Sequence, residues 1–257
     1  MLFGVSAWGT QTDAQGLIER SAQVSTLDWE AAPDYECVER DWEANGATKT
    51  FEDLMIMGSP YQRLIAVNDK PLSHLQQQDQ QRQLERTIEQ RRNESPDQRA
   101  QRIATYRKSR DRDHLMLAQL VKAFDFTLVG QQKLGKYDVY VLRAVPRRDY
   151  QPPNKEAEVL KGMRGTLWID KKTYQWVKVE ARVTRSVWIE GFVAEVEPGT
   201  RFELEKMPVD DHIWLPRHYQ MTARARVLFL FRHRSQDNET YYDYRRISPD
   251  REDFTSK

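Results

Sequence analysis

The sequence predicts a mainly β fold with added helices: a strongly curved antiparallel sheet forming a half-open barrel, with helices inserted to cover its concave face. Three observations predict it. Apolar and charged residues alternate through the C-terminal half, a polar helical region interrupts the strands, and one helix there carries a full apolar face. Alternation with a period of two marks strands with one dry and one wet face. A sheet of roughly ten strands curls rather than staying flat.

The segment before the helical region predicts a short helix followed by three strands. The helix is expected at residues 16–27, and the strands at 35–42, 50–57 and 61–67. Asn45-Gly46 favours a tight hairpin turn between the first two strands. Gly58-Ser59-Pro60 is expected to separate the second strand from the third.

The inserted helical region covers about residues 72–124. Two helices are predicted to begin at capping boxes, Ser73 to Gln76 and Ser95 to Gln98. Most of the region is rich in Gln, Arg and Glu, which is typical of a solvated helix pair. Its last part differs, because apolar residues at intervals of three and four form one continuous face. These residues are Leu117, Leu120, Val121 and Phe124, and we expect them to pack against the sheet.

The remainder of the chain predicts strands almost throughout. Residues 177–183 place apolar side chains at odd positions and charged ones at even positions, and residues 201–205 and 221–231 alternate in the same way. Turns are expected at Gly-, Pro- and Asp-containing segments such as 197–199 and 210–211. We expect the dry faces of these strands to form one apolar concave surface.

Composition limits the classes of function. The chain has 257 residues and a net charge of +1, from 40 basic and 39 acidic residues. The two signs are interspersed along the chain, whereas a nucleic-acid-binding protein usually has an excess of basic residues on one face. Cys37 is the single cysteine and cannot form an internal disulfide. No apolar stretch approaches the ~18 residues of a membrane span. Residues 1–15 fit either a signal-peptide remnant or a flexible tail, and residues 16–257 are expected to form a single domain.

A search for catalytic signatures finds none, and no cofactor or metal site is predicted. Asp210, Asp211 and His212 are interpreted as a solvated turn. The carboxylate pairs Glu203/Glu205 and Glu195/Glu197 are expected to pair with basic residues on neighbouring strands rather than to hydrolyse a substrate. An enzyme remains the weakest of three functional hypotheses, and two buried, uncompensated carboxyls in a cleft would favour it.

Several segments resemble a known superfamily. Residues 165–180, in which a strand ends in Ile169-Asp170 and returns as alternating valines and charges, resemble the central hairpin of outer-membrane lipoprotein-sorting-like proteins (the lipoprotein-carrier, LolA-like superfamily). Residues 210–217 with 221–231 resemble the next strands, and residues 58–65 with 68–73 resemble an acidobacterial type with a longer helical insertion. The resemblance implies an unclosed antiparallel barrel, a periplasmic location and an apolar cavity for acyl chains.

The sequence therefore predicts a non-catalytic periplasmic carrier that binds lipid or lipoprotein acyl chains. The carrier is expected to be a monomer, and a membrane protein is expected as its partner for loading or release. The alternative is a periplasmic sensor that uses the same fold to bind a membrane-anchored regulator. The residues expected to line the apolar cavity are Trp168, Val177, Val179, Phe202, Leu204, Val227, Phe229 and Phe231, with Leu117, Leu120 and Phe124 as the lid. Each of them is equally compatible with a filled core.

Overall fold

The structure is a computed structural model that describes residues 8–189, 194–227 and 231–247. Within these ranges, side chains are described except at residues 8–13, 113, 116–117, 189, 194, 227 and 231–234. The helices are α1 (Trp8–Ala31), α2 (His74–Arg92) and α3 (Pro96–Ala123), with short 3₁₀ turns at Ala32–Asp34 and Glu156–Gly162. None of these helices combines the length and apolarity needed to cross a bilayer.

Thirteen strands are present in the described residues. They are β1 (Tyr35–Trp42), β2 (Thr48–Ile56), β3 (Ser59–Val67), β4 (Lys70–Pro71), β5 (Phe124–Leu134), β6 (Tyr137–Pro146), β7 (Met163–Asp170), β8 (Trp176–Val183), β9 (Val187–Ile189), β10 (Ala194–Val196), β11 (Arg201–Pro208), β12 (Trp214–Val227) and β13 (Phe231–Arg246). They belong to one antiparallel sheet whose strand order starts at β4 and ends at β5. The sheet is therefore open, and the predicted fold class is confirmed.

The chain divides into two compact units. The first comprises the described parts of Met1–Trp29 and His114–Gln236, and the second those of Glu30–Asp113 and Asp237–Lys257. In the first unit the strand order is β12-β11-β8-β7-β6-β5, with β10 pairing to β12 and β9 to β10. In the second unit it is β4-β3-β2-β1-β13. Neighbours in the order are mostly joined by hairpins, so the chain order explains most of the pairing.

Local signals predicted several boundaries correctly. The Asn45-Gly46 turn joins β1 to β2, with Gly46 at φ +82°. The Ser73 capping box is complete, and in the second box the Gln98 N–H donates to Ser95 Oγ at 3.3 Å while Gln98 Oε1 accepts from the Ser95 N–H. Each of these motifs is satisfied by residues within a few positions, which is why the sequence alone was sufficient.

Three boundaries were predicted wrongly. The turn between β2 and β3 is Met57-Gly58, both at positive φ, and Ser59 and Pro60 already belong to β3. Helix α1 spans 24 residues rather than residues 16–27, and it begins inside the segment expected to be a tail. Phe124 does not extend the last helix, because α3 ends at Ala123 and β5 starts at Phe124. A helical spacing that runs into a strand cannot be separated from a longer helix by periodicity alone.

Candidate functional site

The candidate site lies on one face of the sheet in the first unit. We call it the apolar face, and its buried members on three neighbouring strands are Leu142, Ala144, Leu167, Ile169, Trp176 and Val179. The register sets Leu167 opposite both Leu142 and Val179, so the face is continuous from β6 to β8. Leu204, opposite Val179, carries it onto β11. Side chains in cross-strand register contact one another, which explains why these strands form one surface.

Helix α1 covers this apolar face with a single stripe of residues. The buried positions of the stripe are Ala14, Leu17, Ile18, Ser21, Ser25 and Asp28. Intervals of three and four residues put them on one side of the helix. Ala14, Leu17 and Ile18 join the hydrophobic cluster of the strands. The stripe is therefore apolar in its first half and polar in its second.

A buried ion pair ends the polar half of the stripe. Asp28 accepts hydrogen bonds from Lys206 Nζ, from Gln175 Nε2 at 2.9 Å and from the Trp214 backbone N–H at 2.9 Å. These donors belong to β11, to the turn before β8 and to the start of β12. Burial lowers the pKa of Lys206, and the neighbouring Asp28 opposes that shift. One carboxylate thus ties the end of α1 to three parts of the sheet.

Four buried polar atoms near this ion pair have no hydrogen-bond partner within the described part of the chain. They are Ser21 Oγ, Ser25 Oγ, Gln175 Oε1 and Trp176 Nε1. Leaving a buried polar group unpaired costs about 1–3 kcal/mol.

The structure brings together five of the predicted cavity and lid residues. Val179 and Phe124 are buried in the hydrophobic cluster of the apolar face, and Phe202, Leu204 and Leu120 pack against it. They contact the strands and α1 as parts of a filled core.

Two of the predicted cavity residues lie on the opposite side of the sheet from the apolar face. The expectation that all of these residues line one surface is therefore corrected for these two. Trp168 and Val177 belong to a second cluster with Val139 and Trp214. Trp168 stands between two residues of the apolar face and therefore points away from it. The register shifts after Trp168, so that Val177 is the extra residue of a bulge. A bulge reverses the alternation that predicted its side.

Four further predicted residues fall outside the described side chains. Leu117 lies in α3, Val227 ends β12 and Phe231 starts β13, but only their backbone is described. Phe229 lies outside the described residues altogether. Their assignment to a cavity stays a prediction.

The carboxylate pairs that could have suggested hydrolysis are paired with cations, as predicted. Lys178 Nζ lies 2.8 Å from Glu203 and 3.6 Å from Glu205. Burial alone would lower the pKa of Lys178, but hydrogen bonds with Glu203 and Glu180 raise it. Arg226 contacts both Glu195 and Glu197. Asp210 Oδ1 accepts from the His212 and Ile213 N–H groups at 2.7 Å, as expected of a turn.

A carboxylate cluster in the second unit was missed from the sequence. Oxygens of Glu39, Asp41 and Glu239 lie within 4.8 Å of one another, and Glu39 is 9% exposed. Burial, and then a hydrogen bond with Asp53, raise the pKa of Glu39 to about 10. Burial also raises the pKa of Asp41 and of Glu239. The crowding of these carboxyls in a buried place therefore favours the protonated form of Glu39.

No local signal could have revealed this cluster. Its members come from β1 and β13, and they meet because Asp41 faces Glu239 in the register. Asp53, which raises the pKa of Glu39, is on β2, the other neighbour of β1. Oxygen atoms at this spacing are of the type that binds hard cations. The cluster belongs to the second unit and has no part in the apolar face.

A polar groove of about 1060 Å³ also lies in the second unit, between α2, α3 and the β2–β3 turn. Arg91 donates to the carbonyl oxygens of Ile56, Ser59 and Pro60 at 2.7–3.0 Å. Arg102 binds both carboxylate oxygens of Glu94 at 2.7 Å. The two guanidinium groups thus fix the turn and the helix junction, which is a structural use of their charge.

Comparison with known proteins gives likenesses of fold only. No described protein family and no curated protein matches the sequence. Among solved structures, the chain is similar to a putative outer membrane lipoprotein-sorting protein domain from Vibrio parahaemolyticus, at 13% identity and a TM-score of 0.31, over 92% of this chain and 96% of that one. It is also similar to a DUF1329 family protein from Desulfovibrio piger, at 10% identity and a TM-score of 0.32, over 96% and 97%.

A third likeness is to a chain of the MucA/MucB complex of Pseudomonas aeruginosa. The identity is 12% and the TM-score 0.25, over 92% of this chain and 99% of that chain. The resemblance noted in the sequence thus reappears among solved structures. At such scores these likenesses carry no inference about what the chain binds.

Proposed function

We propose that this chain is a non-catalytic periplasmic binding protein that carries the acyl chain of a lipid or lipoprotein on the apolar face. The observation that supports the proposal is the divided stripe of α1. Its apolar half, Ala14 to Ile18, covers the face with few side chains, whereas its polar half is anchored by Asp28. A helix built in this way can leave the face at one end while it stays attached at the other.

An acyl chain competes well with the apolar half of α1. Each buried methylene contributes about 0.8 kcal/mol, so about eight methylenes contribute roughly 6 kcal/mol before ordering costs. Among the described side chains of α1, Ala14, Leu17 and Ile18 give up contact with the cluster when this half of the helix moves. The exchange is close to balanced, and a carrier needs such a balance in order to release its cargo.

The cover also explains how an apolar surface is kept out of water in the empty protein. Exposed apolar patches larger than a few hundred Å² cause association and aggregation. While α1 is docked, Ile18 is fully buried and so are Leu142 and Ile169 beneath it. In the proposal, a membrane protein that loads or unloads the carrier acts when α1 is displaced, and the carrier itself is a monomer.

The proposal is tested by titrating the purified protein with a fluorescent fatty acid and by native mass spectrometry of protein purified from its host. We expect one acyl chain per protein. Leu204→Glu places a charge on the apolar face, and we expect it to weaken binding at least about tenfold. If Leu204→Glu fails to fold, Phe202→Ala removes apolar contact at the same place.

Glu203→Gln is the matched control, because Glu203 lies between these two residues and contacts Lys178 on the other side of the sheet. We expect it to bind like the wild type. Equal binding by wild type and Leu204→Glu, with both folded, would show that the acyl chain does not use the apolar face. A protein that takes up no acyl chain would instead favour the sensor that binds a membrane-anchored regulator.

A further inference from the structure

The polar half of the α1 stripe is not explained by the binding of a plain hydrocarbon. Ser21 and Ser25 are 0% and 3% exposed, and each Oγ lacks a partner in the described residues. Alanine at both positions would fit the same space and avoid the cost of burying an unpaired hydroxyl. Because Ser21 and Ser25 both carry this cost, on the stripe that ends at Asp28, we look for a ligand group that would pair with them.

The unpaired atoms form a set with defined chemistry. Ser21 Oγ and Ser25 Oγ lie one helical turn apart and both donate and accept, Trp176 Nε1 only donates, and Gln175 Oε1 only accepts. Gln175 Nε2 is bonded to Asp28 Oδ1, and Asp28 lies three residues after Ser25 on the same stripe. The serines belong to α1, whereas Gln175 and Trp176 lie at the start of β8, where Trp176 shares a hydrophobic cluster with Leu17 and Ile18. The set therefore offers three donors and one dedicated acceptor on α1 and on the strand end that α1 covers.

The set contains no available charge. Lys206 is the neighbouring cation, and it is committed to Asp28 by a buried ion pair. A carboxylate or a phosphate placed here would be buried beside the Asp28 carboxylate without a cation of its own, which is strongly unfavourable. The chemistry therefore suits an uncharged group that accepts two or three hydrogen bonds.

We infer that Ser21, Ser25 and Trp176 form a subsite for the uncharged carbonyl linkage, an ester or an amide, at the head of the bound acyl chain. This inference rests on the proposed function and names the class of acyl compound that the apolar face takes. The hydrocarbon replaces Ala14, Leu17 and Ile18, while the Asp28 anchor keeps Ser21 and Ser25 in place. The linkage carbonyl then accepts from Trp176 Nε1 and from a serine hydroxyl.

The test compares ligands that share one chain length and differ at the head. Isothermal titration measures the affinity of wild-type protein for a monoacylglycerol, an N-acylglycine amide and the free fatty acid at pH 8. We expect the ester and the amide to bind about tenfold more tightly than the ionised acid, because a carboxylate is disfavoured beside Asp28 and so forgoes the two hydrogen bonds that the linkage carbonyl makes. Comparing the affinities of the ester and the amide shows whether a glyceride or an N-acylated protein is the better source of the linkage.

Two variants locate the preference. Ser21→Ala with Ser25→Ala, and separately Trp176→Phe, should each reduce the preference for the ester over the acid to about twofold or less. Thr26→Ala is the matched control, because the Thr26 hydroxyl already donates to the Ala22 carbonyl at 3.0 Å. We expect it to keep the full preference.

The outcomes separate this inference from the function on which it rests. If the wild type binds all three ligands equally, or if the variants keep the preference, the subsite is wrong while the acyl-chain carrier stands. If the free acid binds most tightly, the subsite is likewise wrong. If none of the three ligands binds, both the subsite and the acyl-chain carrier are wrong.

Discussion

Gln175 Nε2 donates a 2.9 Å hydrogen bond to Asp28 Oδ1 across 147 residues of sequence. The same carboxylate also accepts hydrogen bonds from Lys206 Nζ and from the Trp214 N–H, so one buried acidic residue attaches α1 to the sheet. These hydrogen bonds hold the Asp28 carboxylate in one orientation. They therefore fix one position of α1, although replacing the Asp28–Lys206 ion pair by apolar residues would often leave the stability unchanged.

Removing Asp28 is therefore expected to be costly. Asp28→Ala leaves Lys206 buried without its partner, and the free energy of unfolding should fall by about 3–5 kcal/mol. Urea denaturation followed by circular dichroism measures this. Glu19→Ala, on the exposed side of the same helix, controls for the loss of a carboxylate and should change stability by about 0.5 kcal/mol or less. Similar losses in the two variants would contradict the role of Asp28 as anchor.

Replacing both charges provides a second check on the anchor. Asp28→Leu combined with Lys206→Met removes the buried ions together, so most of the stability lost in Asp28→Ala should return. The Trp214 N–H and Gln175 lose an acceptor, and a residual loss of about 1–2 kcal/mol is expected. A double variant as unstable as Asp28→Ala would show that the cost does not arise from an unpaired Lys206.

The pH dependence of stability should report on Glu39. Its pKa is raised to about 10 in the folded protein, from an ordinary value of 4.5. Between these values the folded chain holds a proton that unfolding releases, so this group's stabilisation is complete below about pH 4.5 and is lost as pH rises toward 10. Each pH unit in the window costs up to about 1.4 kcal/mol.

Glu39→Gln cannot ionise, and its free energy of unfolding should fall less steeply from pH 5 to pH 9 than that of the wild type. The measurement is urea denaturation at several pH values. Glu85→Gln, exposed on α2, removes the same charge and should follow the wild-type slope. Parallel slopes for wild type and Glu39→Gln would contradict a protonated Glu39 at neutral pH.

The β2–β3 turn depends on Arg91. Its guanidinium holds three backbone carbonyls, a geometry that a lysine ammonium cannot reproduce. Arg91→Lys should lower stability by about 1–3 kcal/mol and speed hydrogen exchange at residues 56–60. Arg92→Lys, at an exposed neighbouring position, is the control. Unchanged exchange in Arg91→Lys would show that the turn is stable without the guanidinium.

The parts of the fold that were predictable from sequence are those fixed by short-range physics. The Asn45-Gly46 turn and the Ser73 and Ser95 capping boxes each require only neighbours in sequence. Pairing of Glu203 with Lys178 followed from the charges that the two strands carry.

The parts that failed depend on register or on distant partners. Val177 was assigned to the wrong side because a one-residue bulge reverses alternation and leaves no clear mark in composition. Helix α1 was predicted to end too early because Asp28, which looks like an exposed position, belongs to its buried stripe. The partners of Asp28 lie about 150 residues or more away, so a pattern of polarity could not reveal its burial.

The same limitation explains why the candidate site was predicted only in part. Apolar residues such as Val179 and Leu204 were found because they alternate, but the sequence did not show that α1 covers them. The Glu39 cluster was invisible because its carboxylates come from two strands that are about 200 residues apart in sequence. Both features became evident only when the register was known.

The most direct test of the central claim is hydrogen exchange of α1 with and without a bound acyl chain. If the chain takes the place of Ala14, Leu17 and Ile18, the amides of residues 14–20 should exchange at least about tenfold faster when the ligand is bound. The amides near Asp28 should keep their protection, because the anchor stays in place. Slower exchange throughout α1, or no change in it while the ligand is bound, would contradict the account.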